Sequence, residues 1–292
     1  MSRPALSATR ALTVLDFLAA HPADGFTLSD LTERLGVNAA SMHAILGALA
    51  EAGYVTRNPR LRTYALGLSS AALGSAALES HPAIDLARDA ARELSAAVEL
   101  EVAVTAVAGN DVVFLARAGA HRARGIAVHV GQRVALVPPL GSVFVAWQAP
   151  ERIDAWIGGS TDAAHARAVL AHVRDRGYSI AVEADARRGL GAALDHLADA
   201  PLDALVRGSI GGIVDELGRH DYQLAAVDPA RAYDVAVITA PVFDASGQPL
   251  LALTLLGFDP GLSGRRVIEL GERIRDAGLV ITKQSRGRIP TR

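Results

Sequence analysis

The chain of 292 residues contains no cysteine. Disulfides, thiolate metal sites and cysteine nucleophiles are therefore excluded. No apolar run approaches the roughly 20 residues of a membrane-spanning helix, and the first ten residues lack the apolar core of a leader peptide. We therefore expect a soluble, cytoplasmic protein that makes no membrane contact.

A net positive charge is also absent. Lysine occurs only at position 283, and the formal net charge is −2. The first 70 residues carry six arginines against five acidic residues, a net charge of +1. Any affinity for DNA must then come from individually placed contacts and from doubling by dimerisation, because bulk charge is too small to supply it.

Motifs that would indicate catalysis are missing as well. The glycine-rich segment 208–212 is not followed by a lysine, so it is no phosphate-binding loop, and no G-x-S-x-G sequence surrounds any serine. No two histidines have H-x-x-x-H spacing. His165 and His172 on one predicted helix are better explained as a solvated face than as metal ligands. The sequence predicts no enzyme, no cofactor and no metal site.

The segment from Thr27 to Gly53 has the pattern of two short helices joined by a tight turn. Thr27 can cap the first helix, with Asp30 in the acidic position of a capping box. Gly36 ends that helix, because a residue without Cβ enters the left-handed conformation without steric cost. Asn38 is a predicted N-cap of the second helix.

The second helix leaves Ala39, Ser41, His43 and Gly47 on its outward side. A helix-turn-helix presents its recognition helix to the major groove of DNA in this way. An ordinary corner of two helices gives the same pattern, and both interpretations remain open from these residues alone.

A hairpin with arginines near its tip follows. The β-prone runs 54–56 and 63–66 flank Arg57, Arg60 and Arg62. The guanidinium group is well suited to bidentate phosphate contacts, so beside a helix-turn-helix we interpret the hairpin as a wing. A solvated turn is the alternative.

Flanking helices complete this region. Residues 7–20, with Leu12, Leu15 and Leu18 on one side, are expected to pack across the back of the helix-turn-helix. Residues 67–80 predict a linker helix that ends at Pro82, because proline cannot continue it. We divide the chain into a winged helix-turn-helix domain (1–67), a linker helix (68–82) and a C-terminal domain (83–292).

The hydrophobic period changes in the C-terminal domain. Strands are predicted over residues 101–107, 112–117, 126–130, 178–182, 235–243 and 249–256, and helices over 84–98, 142–147, 151–157, 162–176 and 263–285. Neighbouring hairpins with helices between them indicate an α+β domain, in which helices pack on an antiparallel sheet. The fold class is thus a mainly α winged helix-turn-helix domain followed by an α+β domain.

This order of parts resembles the IclR family of bacterial transcriptional regulators. The resemblance covers nearly the whole chain and rests on seven short segments in the family's order: ALTVLDF (11–17), LSDLTERLG (28–36), LAEAGYV (49–55), YALG (64–67), VGQR (130–133), RGY (176–178) and APVFD (240–244). It implies a GAF-like effector-binding domain, dimerisation largely through the N-terminal domains, and often a dimer of dimers on DNA.

The recognition helix departs from the family pattern. Family members usually carry a basic residue near the start of this helix and an arginine just after the position of His43, where this chain has Ala39 and Ala44. An alanine can still contact a thymine methyl group. The predicted DNA contacts are Asn38, Ala39, Ser41 and His43 on the helix, with Arg57, Arg60 and Arg62 on the DNA backbone.

The effector pocket departs further. Positions where the family often has a cysteine and two serines correspond here to Val237, Thr254 and Leu256. Because hydrogen-bonding groups are lost, an apolar or aromatic effector fits better than a small carboxylate. The predicted effector contacts are Phe114, Arg117, His129, Val137, Leu140, Val237 and Thr254, with Arg117 or His129 as the polar anchor. A plain core or rim position is the alternative for each.

Residues 186–232 add more chain than the family usually has. Helices are predicted over 190–197, 202–206 and 210–217. We interpret the insertion as a helical flap near the pocket or at a surface between subunits, with a functionless surface insertion as the alternative.

The leading hypothesis is a regulator that binds a pseudo-palindromic operator as a homodimer or homotetramer and responds to a small organic effector. The first alternative is a small-molecule or protein binding module that has lost specific DNA recognition. An enzyme that uses the sensor pocket is the second.

Overall fold

The computed structural model describes residues 5–120, 129–160, 162–199, 210–214, 216–217 and 222–290. Contacts divide the chain into two compact units. The first comprises Met1–His81 with Ala193–Gly208, and the second comprises Pro82–Ala192 with Ser209–Arg292. The division at His81 lies next to the predicted end of the linker helix, whereas no pattern in the sequence predicts the division within the insertion.

The first unit is a winged helix-turn-helix. Its elements are α1 (Leu6–Ala20), β1 (Phe26–Thr27), α2 (Leu28–Leu35), α3 (Ala39–Glu51), β2 (Val55–Asn58), β3 (Thr63–Leu66) and α4 (Leu68–Glu79). The predicted helices and both wing strands are confirmed within one or two residues. Strand β1 is an addition to the prediction, since two residues are too few to show a period, and it pairs with β3 in an antiparallel sheet of order β1-β3-β2.

One small apolar core holds this unit together. Fully buried side chains come from three of its helices: Val14, Phe17 and Leu18 from α1, Leu31 and Leu35 from α2, and Met42 and Leu46 from α3. The expectation for Leu12 is wrong, because its side chain is 62% exposed while Val14 and Phe17 face the core.

The second unit has the predicted α+β architecture. Its helices are α5 (Pro82–Val98), α6 (Ser142–Val145), α7 (Pro150–Ile157), α8 (Ala163–Arg176) and α10 (Gly264–Gln284). Helix α9 (Asp185–Asp199) belongs to this unit up to Ala192. Its strands are β4 (Glu101–Ala108), β5 (Asp111–Ala118), β6 (Arg133–Ala135), β7 (Ser179–Val182), β8 (Ala232–Tyr233), β9 (Val235–Phe243), β10 (Pro249–Leu256) and β11 (Leu262–Ser263).

Six strands form one antiparallel sheet in the order β6-β5-β4-β10-β9-β7, and β11 pairs with β8 separately. Alternate residues of the central strands, such as Val104, Ile238 and Leu253, are buried in one cluster with α5 and α10. The opposite face packs against α6, where Val143 and Phe144 contact Ala252. The rest of that second face carries the residues considered below as an effector site.

Two predicted segments of the C-terminal region need correction or lie outside the described residues, and one strand was not predicted. Of the strand predicted at 126–130, residues 126–128 lie outside the described residues, and His129 and Val130 form a turn. Strand β6 is an addition to the prediction. In the insertion α9 is confirmed and residues 210–214 are helical, whereas 202–206 lie outside the described residues.

Candidate functional site

The N-terminus of α2 is fixed by a reciprocal capping box. The N–H of Asp30 donates to Oγ1 of Thr27 at 3.2 Å, and the N–H and hydroxyl of Thr27 both donate to Oδ2 of Asp30 at 2.8 Å. Hydrogen bonds from the Thr27 side chain and backbone lower the pKa of Asp30 below its usual value. The first helix of the motif therefore starts at a defined residue.

The turn between α2 and α3 uses the two predicted residues. Gly36 is left-handed, with φ of 57°, and ends α2. Oδ1 of Asn38 accepts a hydrogen bond from the N–H of Ser41 at 2.9 Å and caps α3. This cap uses one lone pair of the Asn38 carbonyl oxygen, and the amide NH₂ of that side chain remains able to meet a base edge.

The outward face of α3 is formed as predicted. Ala39 and His43 are exposed and Ser41 is half-buried, whereas Met42 and Leu46 have no exposed surface. Because the buried face fixes the rotation of α3 about its own axis, the exposed face is presented in one orientation. The first turn of α3 then offers one hydroxyl, one imidazole and the methyl groups of alanines.

The wing presents three exposed arginines. Arg57 lies in β2, and Arg60 and Arg62 lie in the tip. The tip is shaped by Asn58, whose Oδ1 accepts from the N–H groups of Arg60 and Leu61 at 3.0 and 3.2 Å. Within the described part of the chain, none of these guanidinium groups is paired with a carboxylate.

Arg57 is further ordered by its cross-strand partner. It lies opposite Tyr64 in the β2–β3 register, and its guanidinium carbon is 5.8 Å from the tyrosine ring centroid. Tyr64 is buried in the core of the unit. The arginine stem therefore rests on a fixed aromatic surface while its charge remains in solvent.

Helix α4 has no buried residue, and its leucines Leu68 and Leu73 are 88% and 61% exposed. The exposed Leu6 and Leu12 of α1 add to the apolar surface of this unit. Apolar side chains this exposed on a helix are typical of a surface that a partner covers.

The second face of the large sheet brings together three predicted effector residues. Phe114 on β5 and Val237 on β9 are half-buried and pack on Ala103 and Leu256. Thr254 lies opposite Ala103 and Thr239 in the sheet. The hydroxyl groups of Thr254 and Thr239 are 3.2 Å apart. This face is therefore apolar with a pair of hydroxyls at its centre.

The two predicted polar anchors lie near this face but are constrained. Nη2 of Arg117 is 2.8 Å from Oε1 of Glu101, a carboxylate that is 2% exposed. His129 is exposed, and its backbone N–H donates to Oε1 of Gln132 at 2.9 Å. The turn that these residues form is hydrogen-bonded through its backbone to Phe114 of β5. The Arg117 charge is thus already neutralised by a buried partner.

The remaining two predicted residues lie in the turn around Pro138. Val137 is 38% exposed and Leu140 is half-buried, and the N–H of Leu140 donates to the carbonyl of Val137 at 2.7 Å. Neither belongs to the cluster that Phe114 and Val237 form.

Comparison with known families decides what the first unit is. Residues 7–59 match the family model of the IclR helix-turn-helix domain, a span from α1 through β2. The N-terminal part of the chain is therefore an IclR helix-turn-helix domain. Proteins of this family are DNA-binding transcriptional regulators and not enzymes. In the described residues no group of three or more side chains is arranged to hold a metal, and no described helix is long and apolar enough to cross a membrane.

Proteins similar to longer parts of the chain are transcriptional regulators, and the solved structures among them share its fold. The transcriptional regulator XynR of Escherichia coli is 24% identical over 185 residues, which is 60% of this chain and 73% of XynR. The IclR transcriptional regulator of Alicyclobacillus acidocaldarius has the same fold, with a TM-score of 0.67, 19% identity, and coverage of 97% of this chain and 100% of that chain. An IclR homolog of Microbacterium hydrocarbonoxydans, complexed with 4-hydroxybenzoate, has a TM-score of 0.61, 19% identity, and coverage of 96% and 99%.

The insertion at residues 186–232 is tied to the second unit near both ends. Arg187 at the start of α9 is buried, and its Nη1 donates to Oε1 of Glu183 at 2.6 Å. Burial raises the pKa of the neighbouring Tyr222. The returning chain pairs with β7, since the N–H of Val182 donates to Tyr222 and the N–H of Leu224 donates to Ile180.

Arg176 of the RGY segment anchors the same returning chain. Its Nε donates to the carbonyl of Tyr178 at 2.6 Å and its Nη1 to the carbonyl of Ala225 at 3.2 Å. Burial lowers the pKa of Arg176 to about 10, against an opposing effect of Tyr178. The sequence motif did not reveal this role, because Ala225 is 49 residues away along the chain.

A pocket under the insertion has no counterpart among the sequence predictions. It lies within the second unit and is lined by Pro138, Pro139, Trp156, Ser160, His165, Ala166, Val169, Leu217 and Gln223. None of the predicted effector residues lines it. His165 needs a partial correction, because the sequence indicates a solvated face whereas the structure half-buries this residue in the pocket wall.

Proposed function

We propose that this IclR-family regulator binds a pseudo-palindromic operator as a dimer, or as a dimer of dimers, and that a small organic effector changes its DNA affinity. The observation that carries the proposal is the first unit's geometry. A recognition helix held by its buried side presents Ser41 and His43, beside a wing with three exposed arginines. The wing supplies phosphate contacts and the helix supplies base contacts.

The exposed leucines of α1 and α4 support dimerisation. Two such units would place two α3 helices in successive major grooves, about 34 Å apart. Two weakly charged domains then bind DNA more tightly together than either does alone.

The effector site of the proposal is the second face of the sheet. Phe114 and Val237 offer an apolar floor, and the Thr239–Thr254 hydroxyl pair offers a donor and an acceptor. The Glu101–Arg117 pair leaves no uncompensated positive charge from Arg117 to favour a small carboxylate. An apolar or aromatic molecule that carries a hydroxyl group suits this face. The homolog complexed with 4-hydroxybenzoate supports an aromatic ring with a hydroxyl group, while the carboxylate of that compound would need a partner other than Arg117.

An effector acts only through different affinities for two arrangements of the dimer. The test is the DNA affinity of the full-length protein, measured with and without 4-hydroxybenzoate and, in parallel, pyruvate. We expect the aromatic compound to change the affinity and pyruvate to leave it unchanged. Thr254→Val removes one hydroxyl at nearly constant volume and should reduce the response to the aromatic compound. A response to pyruvate alone would contradict the proposed effector class.

One observation favours a second candidate function. Ala39 and Ala44, at positions that usually carry basic side chains in the family, are both exposed and offer DNA no charge. A module that binds small molecules or proteins without specific DNA recognition would tolerate these residues. Equal, salt-sensitive affinity for unrelated DNA sequences would favour this candidate.

A further inference from the structure

Residues 39–47 of α3 place no long side chain on the line of the helix surface that faces away from the core. Met42 and Leu46 are fully buried on one side of the helix. At about 100° of rotation per residue, the positions opposite them are Ala40, Ala44 and Gly47, and all three are exposed. A Cβ added at Gly47 would meet no atom within 4 Å. We call these three residues the midline of α3.

The two polar residues of this stretch lie on opposite sides of the midline. The same rotation places His43 on one side and Ser41 on the other, where His43 is exposed and Ser41 is half-buried. Their side chains can reach bases beside the midline, but the midline itself offers no hydrogen-bonding side chain. The small residues do not by themselves place α3 on DNA, because that placement comes from the match of residues 7–59 to the helix-turn-helix family model.

The chemistry of the midline restricts what it can recognise on a base. In the major groove, guanine is read by arginine or lysine, adenine by asparagine or glutamine, and cytosine by aspartate or glutamate. None of these six residue types occurs in residues 39–47. The remaining feature of a base edge is the C5 methyl group of thymine, which is recognised by apolar contact with a group such as the methyl of alanine. The midline is therefore suited to thymine.

A midline of small residues also lets the helix axis lie close to the bases. An α-helix with its side chains is about 10–12 Å across, and the major groove is about 12 Å wide. Long side chains on the midline would hold the backbone away from the groove floor, whereas a methyl contact needs carbon atoms within about 4–4.5 Å. Alanine and glycine have no rotamers to order on binding, so this contact costs little side-chain entropy.

We propose that the midline of α3 reads the C5 methyl groups of thymines in each half-site of the operator. Ala40 and Ala44 make the contacts, and Gly47 permits the close approach. The proposal rests on the proposed regulator function, because α3 must lie in the major groove. Ser41 and His43 select neighbouring bases through hydrogen bonds, and the exposed alanines add a readout of thymine.

The test compares thymine with uracil, which pairs with adenine in the same way and lacks only the C5 methyl group. The full-length protein is first used to select from random DNA duplexes that contain thymine. We expect the enriched half-sites to contain at least one thymine. Replacing that thymine by uracil should weaken binding about twofold to fourfold for each methyl group, as expected when up to one methyl group loses its apolar contact. Uracil outside the half-sites should leave the affinity unchanged.

Two exposed alanines provide matched variants. Ala44→Gly removes a methyl group from the midline, so this variant should bind the thymine and uracil duplexes equally well at the base that Ala44 faces. Ala96→Gly makes the same change at an exposed position of α5 and should keep the wild-type difference. Each glycine weakens its own helix to a similar extent. The comparison of thymine with uracil uses the wild-type protein, so it decides the question even if Ala44→Gly does not fold.

The proposal is overturned if the enriched half-sites contain no thymine, or if uracil at every half-site position leaves the wild-type affinity unchanged. It is also overturned if neither Ala40→Gly nor Ala44→Gly reduces the difference between thymine and uracil, or if Ala96→Gly abolishes it. Enrichment of a sequence without an effect of uracil overturns the methyl readout alone. If no sequence is enriched at all, the proposed regulator function fails and this proposal fails with it.

Discussion

Gly67 donates a hydrogen bond from its N–H to the carbonyl oxygen of Tyr54 at 2.8 Å, and so joins the start of α4 to the end of α3. Three further bonds support this joint, from the N–H of Ser69 to Gly53, from the Ser69 hydroxyl to Ala52 and from the Ser70 hydroxyl to Tyr54. A Cβ at position 67 would overlap the carbonyl oxygen of Gly53. The recognition helix and the linker helix are thus connected by backbone contacts that require a glycine.

The first prediction concerns this joint. Gly67→Ala should lower the free energy of unfolding of the first unit by about 1–3 kcal/mol, because the backbone must shift to relieve the overlap. Gly74→Ala is the control, since a Cβ there meets nothing within 4 Å. In a helix interior that change should raise stability by about 0.5–1 kcal/mol. Denaturant unfolding measures both, and equal effects of the two substitutions would contradict the account.

The second prediction concerns the wing. Replacing Arg57, Arg60 and Arg62 together by alanine should weaken binding to every DNA sequence by a similar factor. Each phosphate contact contributes about 0.9 to the slope of log affinity against log salt concentration, so the slope should become shallower by about that amount for each arginine that binds a phosphate. Affinity measured at several salt concentrations gives the slope. An unchanged slope would mean that these arginines do not touch the DNA backbone.

The third prediction concerns self-association through α4. Leu68→Ser combined with Leu73→Ser should weaken the dimer at least about tenfold, because burial of each leucine contributes about 1.5–3 kcal/mol. Leu61→Ser, which changes an equally exposed leucine at the wing tip, should not alter the dimer. Sedimentation over a range of protein concentrations measures the effect. If the α4 variant dimerises like the wild type, the interface lies elsewhere.

The fourth prediction concerns the cap of α2 in acid. The pKa of Asp30 is lowered in the folded state by hydrogen bonds from Thr27, so its contribution to stability is present above the unfolded pKa of 3.8 and is lost as the pH falls through the folded value. Asp30→Asn should therefore be less stable than the wild type at neutral pH, and the difference should shrink in acid.

Asn38→Ala is the control for that experiment. It removes the cap of α3, a loss of about 1 kcal/mol, but an amide does not titrate, so its effect should not vary in the same way with pH. Unfolding free energies measured from neutral pH downward compare the two. A constant difference between wild type and Asp30→Asn would show that the Asp30 carboxylate does not stabilise the cap.

Local chemistry explains which parts of the fold were predictable. The caps at Thr27 and Asn38 and the left-handed Gly36 each depend on a few neighbouring residues, and the sequence located all three. Strands β1 and β6 have two and three residues, too few to show a period. Leu12 has the right spacing for the core, but only tertiary contacts decide that Val14 is buried and Leu12 is not.

The candidate sites were also only partly predictable from the sequence. The family resemblance points to Phe114, Val237 and Thr254, and strand alternation places them on one face. Sequence order could not show that Arg117 is paired with Glu101, since that contact crosses from β5 to β4. The pocket between Trp156 and Gln223 joins α7 to the insertion, a contact between distant parts of the chain that no local pattern predicts.

The central claim is that α3 reads a specific DNA sequence. It is tested most directly by selecting genomic fragments from the source organism with the purified wild-type protein and with a Ser41→Ala, His43→Ala double variant. We expect the wild type to enrich a few pseudo-palindromic sites with half-sites about one helical turn apart. The double variant should retain DNA binding but lose this sequence preference. If the wild type enriches no sequence even at low salt, the protein does not read DNA and the regulator account is wrong.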